Sequence, residues 1–139
     1  MTLYNNRILR LAASTADFAR LAEPGASVEK RSPVCGSRVT VDVRLNAAGV
    51  IDALGLEVRA CALGQASAAL MAAHAKGCNA QQIVQARCDL AAFLEGVRTD
   101  PGTWPGLDIF APAAAHRARH ASILLAFDAA SEAAIAAAR

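Results

Sequence analysis

Around Arg59 the hydrophobic pattern of this chain changes period. Leu54, Leu56 and Val58 alternate, as the residues of a half-buried strand do, whereas Leu63, Ser67, Leu70 and His74 recur at helical spacing. A strand that runs straight into a helix of small residues sets a mixed fold. It also gives Cys61 an unusual address, at the junction itself. A thiol at a helix N-terminus lies beside exposed N–H groups and the positive end of the helix dipole, and both favour the thiolate, the form that attacks sulfur or binds metal. A lone cysteine more often packs as a small buried residue. A second cysteine in an equally odd place shifts that balance. In Ser32-Pro33-Val34-Cys35-Gly36-Ser37, proline stiffens the backbone before Cys35 and glycine loosens it after, so the segment reads as a tight turn.

The remaining elements follow from the same patterns. Tyr4, Ile8, Leu11, Phe18 and Leu21 mark one face of a helix over residues 3–22, closed by Glu23-Pro24-Gly25. Residues 26–34 form a weaker strand. Arg38–Asn46 is the clearest strand, with Val39, Val41, Val43 and Leu45 on one face and Thr40, Asp42, Arg44 and Asn46 on the other. Asn46-Ala47-Ala48-Gly49 turns the chain into a return strand over Val50–Arg59, which makes an antiparallel hairpin. Helices are expected over 62–76, ending at Lys76-Gly77, over 80–95, and over 113–138, with Thr99–Pro112 as a loop. The expected architecture is α+β: an N-terminal helix, a three-stranded antiparallel sheet, and three C-terminal helices covering one face, in a single domain spanning residues 1–139.

Composition narrows the function classes. Apolar residues make up 55% of the chain but aromatic residues only 4%, so the core must be alanine-rich and closely spaced. The net charge is +2 and the arginines are scattered without a basic block, which argues against nucleic acid as a partner. Residues 1–22 carry Asn5, Asn6, Arg7, Arg10, Asp17 and Arg20, which does not read as a signal peptide, and no stretch reads as a membrane span. A cytoplasmic protein is expected, with Cys35, Cys61, Cys78 and Cys88 as thiols rather than disulfides. No Cys-x-x-Cys pair suggests a zinc ribbon. Cys78 and Cys88 read as ordinary thiols of a helix end and a helix face.

His116, His120, Ile123, Leu124 and Phe127 share one face of the last helix, so His120 points toward the core while His116, nearer the helix start, faces solvent. Alone, His120 reads as a satisfied core imidazole. With two thiols it becomes a metal-ligand candidate.

Together these segments resemble the NifU/IscU family of iron–sulfur cluster assembly scaffolds, whose fold is shared by SufE-like sulfur acceptors. Ser-Pro-Val-Cys-Gly-Ser is similar to that family's Pro-x-Cys-Gly-Asp signature. Cys61-Ala-Leu-Gly-Gln-Ala-Ser is similar to its second cysteine motif, and Arg119-His120-Ala121-Ser122-Ile123-Leu124 resembles its His-Cys-Ser-x-Leu run. The resemblance covers nearly the whole chain. It implies a non-enzymatic scaffold that binds iron or zinc and accepts sulfur through Cys35 and Cys61, with His120 as a further ligand. The implied cofactor is a transient iron–sulfur cluster or zinc. The implied partners are a cysteine desulfurase and cluster-accepting apoproteins, with the chain as a monomer or weak homodimer. Alternatives are a sulfur-acceptor or regulatory partner of a desulfurase, or a zinc-binding structural paralogue.

The sequence also departs from that pattern. Ser37 stands where the family has aspartate, Ala60 where it has glycine, and Ala121 where it has the third cysteine. Ser37 and Ala121 are therefore expected to line the site without ligating. Cys35, Cys61 and His120 fall short of a tetrahedral zinc set and of the four donors of a [2Fe–2S] cluster.

Overall fold

The structure, a computed structural model, describes residues 4–33 and 36–139; Val34 and Cys35 lie outside the described residues. Three strands, β1 (Ala26–Arg31), β2 (Arg38–Leu45) and β3 (Ile51–Arg59), form an antiparallel sheet in that order. The register places Val41 between Val28 and Leu56, and Val43 between Ala26 and Leu54. Val39, Val41 and Val43 are fully buried, as their alternation requires. The β2–β3 turn is closed by Asn46, whose side-chain oxygen accepts from the Ala48 and Val50 amides, while Gly49 takes a positive φ of 79°.

The helices are α1 (Asn6–Ala13), α2 (Ala62–Ala75), α3 (Ala80–Leu94) and α4 (Arg117–Ala137). α2 and α4 pack on the valine face of the sheet, α3 packs on α4, and α1 packs on α2. α3 starts with a capping box: Asn79 accepts from the Gln82 amide and the Gln82 side chain accepts from the Asn79 amide. α2 crosses α4 where residues are small. Ser67 donates to the Ile123 carbonyl, and a side chain at Gly64 would place its Cβ 2.6 Å from the Ser122 hydroxyl. By length and composition α4 could cross a membrane, contrary to the sequence expectation, but it is the core helix of this fold, with over half its apolar window buried.

Four other sequence expectations are corrected. The first helix does not run to residue 22. After Ala13 the Ser14 and Thr15 hydroxyls bond back to the Leu11 and Ala12 carbonyls, a 3-10 turn follows over Ser14–Asp17, and the chain then extends. The Phe18 carbonyl accepts from the Leu56 amide, and the Leu21 amide donates to Asp42. Phe18 and Leu21 thus reach their places by crossing the sheet. Next, the first strand stops at Arg31 rather than 34. The span 99–112 is not all loop, since a 3-10 run, Leu107–Ala115, buries Leu107, Ile109 and Phe110. Finally, α4 begins at Arg117 rather than 113, so His116 is its N-cap. Pro112 lies within the 3-10 run, and Trp104 upstream is anchored by its indole N–H on the Leu70 carbonyl and edge-on to Phe127.

The second face of the sheet is not simply wet either. Asp42 is fully buried there and Thr40 nearly so. The Asp42 carboxylate accepts from Arg20 Nε at 2.7 Å, the other Arg20 nitrogen at 3.0 Å, Ser27 Oγ at 2.5 Å and the Leu21 amide at 2.9 Å. Burial alone would push this carboxyl up. The Arg20 guanidinium, the Ser27 hydroxyl and the Leu21 amide together hold it below the usual carboxylate range. Gly55 makes the crossing possible: a Cβ there would lie 2.5 Å from the Ala19 carbonyl oxygen and 2.8 Å from the Leu21 nitrogen.

Candidate functional site

Cys61 is the N-cap of α2, with extended backbone (φ −65°, ψ 169°) and a partly exposed thiol. The junction is where the change of period placed it. Its Sγ lies 3.3 Å from Ser122 Oγ, which in turn lies 3.4 Å from Ser37 Oγ. Ser37 and Ser122 are both buried. The residue that bridges Cys61 to the turn after β1 is therefore Ser122 on α4, not the neighbouring Ala121. Gly64, one turn into α2, lets Ser122 approach.

Ser32 and Ser37 are tied backbone to backbone between β1 and β2. The Ser32 amide donates to the Ser37 carbonyl at 2.8 Å and the Gly36 amide to the Ser32 carbonyl at 3.0 Å, while Gly36 has a positive φ of 71°. The assignment of Cys35 as a sulfur acceptor and metal ligand falls on a residue outside the described ones.

His120 does not bury its ring in the core. It is half-buried, and its Nε2 lies 3.1 Å from the Ala113 carbonyl oxygen and 3.0 Å from that of Ala114. Carbonyl oxygens only accept, so Nε2 carries the proton and the neutral ring keeps its lone pair on Nδ1. A backbone carbonyl holding one ring N–H is how metal-binding histidines are commonly oriented. The 3-10 run before α4 thus presets the His120 tautomer. Ala121 is exposed and, with His120, Ser32 and Pro33, lines a cleft at the end of β1. Among the described residues no three His, Cys, Asp or Glu side chains form a metal-binding group.

The other thiols stand apart from Cys61. Cys78 follows α2 and contacts the His74 carbonyl, and burial pushes its thiol up; Cys88 is exposed on α3. Ser122 was not singled out by sequence reasoning. A signal for it exists: Ser122, Ala126, Ala129 and Ala133 recur at helical spacing and are all buried, so a serine sits within the α4 stripe that faces the sheet and α2.

Among solved structures, a nitrogen-fixing NifU-like protein (N-terminal) from Brucella abortus superposes with a TM-score of 0.90 at 36% identity, covering 98% of this chain and 94% of that one. This chain belongs to the NifU/IscU family. A protein described as an iron–sulfur cluster assembly scaffold of the SUF system, from Fervidobacterium islandicum AW-1, has the same fold: TM-score 0.86 at 18% identity, over 95% of this chain and 96% of that one. By sequence alone, no family model and no curated protein matches the chain. The α+β reading and the family resemblance both hold. Within the NifU/IscU fold, Cys61 and Ser37 are brought together through Ser122, while His120 and Ala121 belong to the neighbouring cleft.

Proposed function

We propose that this NifU/IscU family member is a scaffold of iron–sulfur cluster assembly rather than an enzyme, acting in the cytoplasm, with the cluster as its cargo. The observation that carries this reading is the near full-length match at 36% identity to the NifU-like protein. Cys61 suits the role, being a partly exposed thiol at a helix start. Sulfur would arrive as the persulfide of a cysteine desulfurase. The Cys61 thiolate attacks the outer sulfur, a new S–S bond forms on Cys61, and the desulfurase cysteine leaves as thiolate. The Ser122 hydroxyl is placed to donate to that thiolate. Cys35 is the second sulfur or iron site, and His120 offers Nδ1 to iron or zinc. These donors number fewer than a closed tetrahedral site needs, so a completing ligand comes from water or a partner. Recipients are apoproteins that take the finished cluster.

A second reading, sulfur acceptor or regulatory partner of a desulfurase, is favoured by the Cys61 side-chain contact, which among the described residues is the Ser122 hydroxyl and not a metal donor. It needs one reactive thiol and no full ligand set. A zinc-binding structural paralogue is the third. Anaerobic reconstitution with iron and sulfide, read by absorption spectroscopy and metal content, separates them. Cluster bands lost in Cys61→Ser support the scaffold. Persulfide on Cys61 without metal supports the acceptor, and stoichiometric zinc without persulfide supports the paralogue.

A further inference from the structure

The first turn of α4 runs against helix electrostatics. A helix N-terminus carries partial positive charge and favours acidic side chains. Here the first turn has no acidic residue, the N-cap His116 makes no side-chain cap, and Arg117, Arg119 and His120 follow. Cations at the positive end of a 21-residue helix are an unfavourable local choice, of the kind that natural chains keep mainly where function requires it.

This turn forms one wall of a cleft of about 490 Å3, opposite the end of β1 and the C-terminal half of α3. Its cations are Lys30, Arg31, Arg87 and Arg117, against the carboxylates of Glu95 and Asp128. Lys30 is paired with Glu132, Arg31 with Glu29 and Arg87 with Asp128. Arg117 makes no hydrogen bond or ion pair among the described residues. In the facing wall, just after β1, Ser32 is only 3% exposed, and its hydroxyl is buried without a partner although its backbone groups are bonded. Buried hydroxyls are normally paired, so an orphan beside a cationic cleft marks a place for an acceptor from outside the chain. Pro33, Leu124 and Leu125 give the cleft an apolar side.

We infer that this cleft binds a small organic carboxylate. The carboxylate lies against Arg117, the N-terminal end of α4 and the Ser32 hydroxyl, and the apolar body rests on Pro33 and Leu124. A guanidinium fork matches a planar carboxylate, and the volume is that of a small-ligand pocket. The apolar side favours an organic ligand over a bare inorganic anion. The cleft shares His120 and Ala121 with the proposed metal site, but carboxylate binding to the metal-free chain does not depend on Cys61 accepting sulfur.

The test is titration of the full metal-free chain, followed by calorimetry and amide chemical shifts, with three probes: glutathione as a peptide carboxylate, succinate as a free dicarboxylic acid, and inorganic phosphate. Saturable binding of either carboxylate, tighter than phosphate and with shifts at Ser32 and Arg117, is expected; whichever carboxylate binds more tightly assigns the source. Arg117→Ala should weaken it about tenfold and Ser32→Ala about threefold. Ser32→Ala should not lower the melting temperature of the unliganded protein, since it removes a hydroxyl that has no partner there. Absence of saturable binding by both carboxylates, phosphate binding as tight as theirs, or unchanged affinity in Arg117→Ala would each overturn the inference.

Discussion

Asp42→Asn tests how the N-terminal segment is held across the sheet. The wild-type carboxylate accepts from Arg20 Nε and the Leu21 amide on one oxygen, and from a second Arg20 nitrogen and Ser27 on the other. Asparagine keeps the volume but turns one oxygen into a donor, which then faces donors. Because the Arg20 side chain is 45% exposed, water can re-solvate it, and the ion-pair share is at most about 1 kcal/mol. The charge-assisted hydrogen bonds lost on the buried side add about 2 kcal/mol. The expected destabilisation is about 3 kcal/mol, or roughly 9 °C in melting temperature for a chain of this size. Urea denaturation with a common m-value measures it, and Arg44→Ala, which breaks an exposed pair with Asp52, serves as a control within about 0.5 kcal/mol. The effect also has a pH signature. The folded-state Asp42 carboxyl lies below its ordinary value, so the stability it contributes is present above about pH 4 and is lost as pH falls through the folded value. The gap between wild type and Asp42→Asn should therefore close on acidification. A difference under about 1 kcal/mol at neutral pH, or one that persists unchanged in acid, would refute the latch.

Four further outcomes are expected. Gly55→Ala should lower stability by about 3 kcal/mol or more, because its Cβ would meet the backbone of Ala19 and Leu21 below 3 Å; unchanged denaturation would mean that the crossing segment is not held there. Val41→Asp, in the fully buried layer, should abolish cooperative unfolding. Thr40→Asp should also destabilise, by about 1 kcal/mol, since Thr40 is buried between Glu29 and Glu57 on the neighbouring strands; a neutral result there would show that this part of the face is wet. Ala121→Cys should tighten zinc retention against a chelator at fixed pH, by adding a thiol beside His120; unchanged affinity in a folded variant would remove position 121 from the metal site.

What could be read from the sequence was decided by neighbours in the chain. The β2–β3 hairpin follows from alternating valines and an Asn-to-Gly turn, and Gly77 past the end of α2 is a local stop. Cys61 falls at a strand-to-helix junction because hydrophobic period changes within a few residues. The cysteine motifs carried the family resemblance for the same reason, since each is a short contiguous run.

Tertiary structure decided the rest. The pattern of Phe18 and Leu21 suits a continuing helix, and the Ser14 and Thr15 hydroxyls loosen it. The choice is made by the buried carboxylate of Asp42, which captures the Leu21 amide from a strand 21 positions on. The alternation of β2 marks Asp42 as outward-facing, which is right, but whether outward means solvent depends on the segment that crosses it. Likewise, Ala121 and Ser122 are adjacent in sequence yet point to different surroundings, because successive helical residues are rotated by about 100°. Only the docking of α4 against α2 puts the Ser122 hydroxyl, and not position 121, beside the Cys61 sulfur. Local periodicity says which side of an element is apolar; what lies against that side is set by contacts between distant parts of the chain, whose free energy no short window of sequence contains.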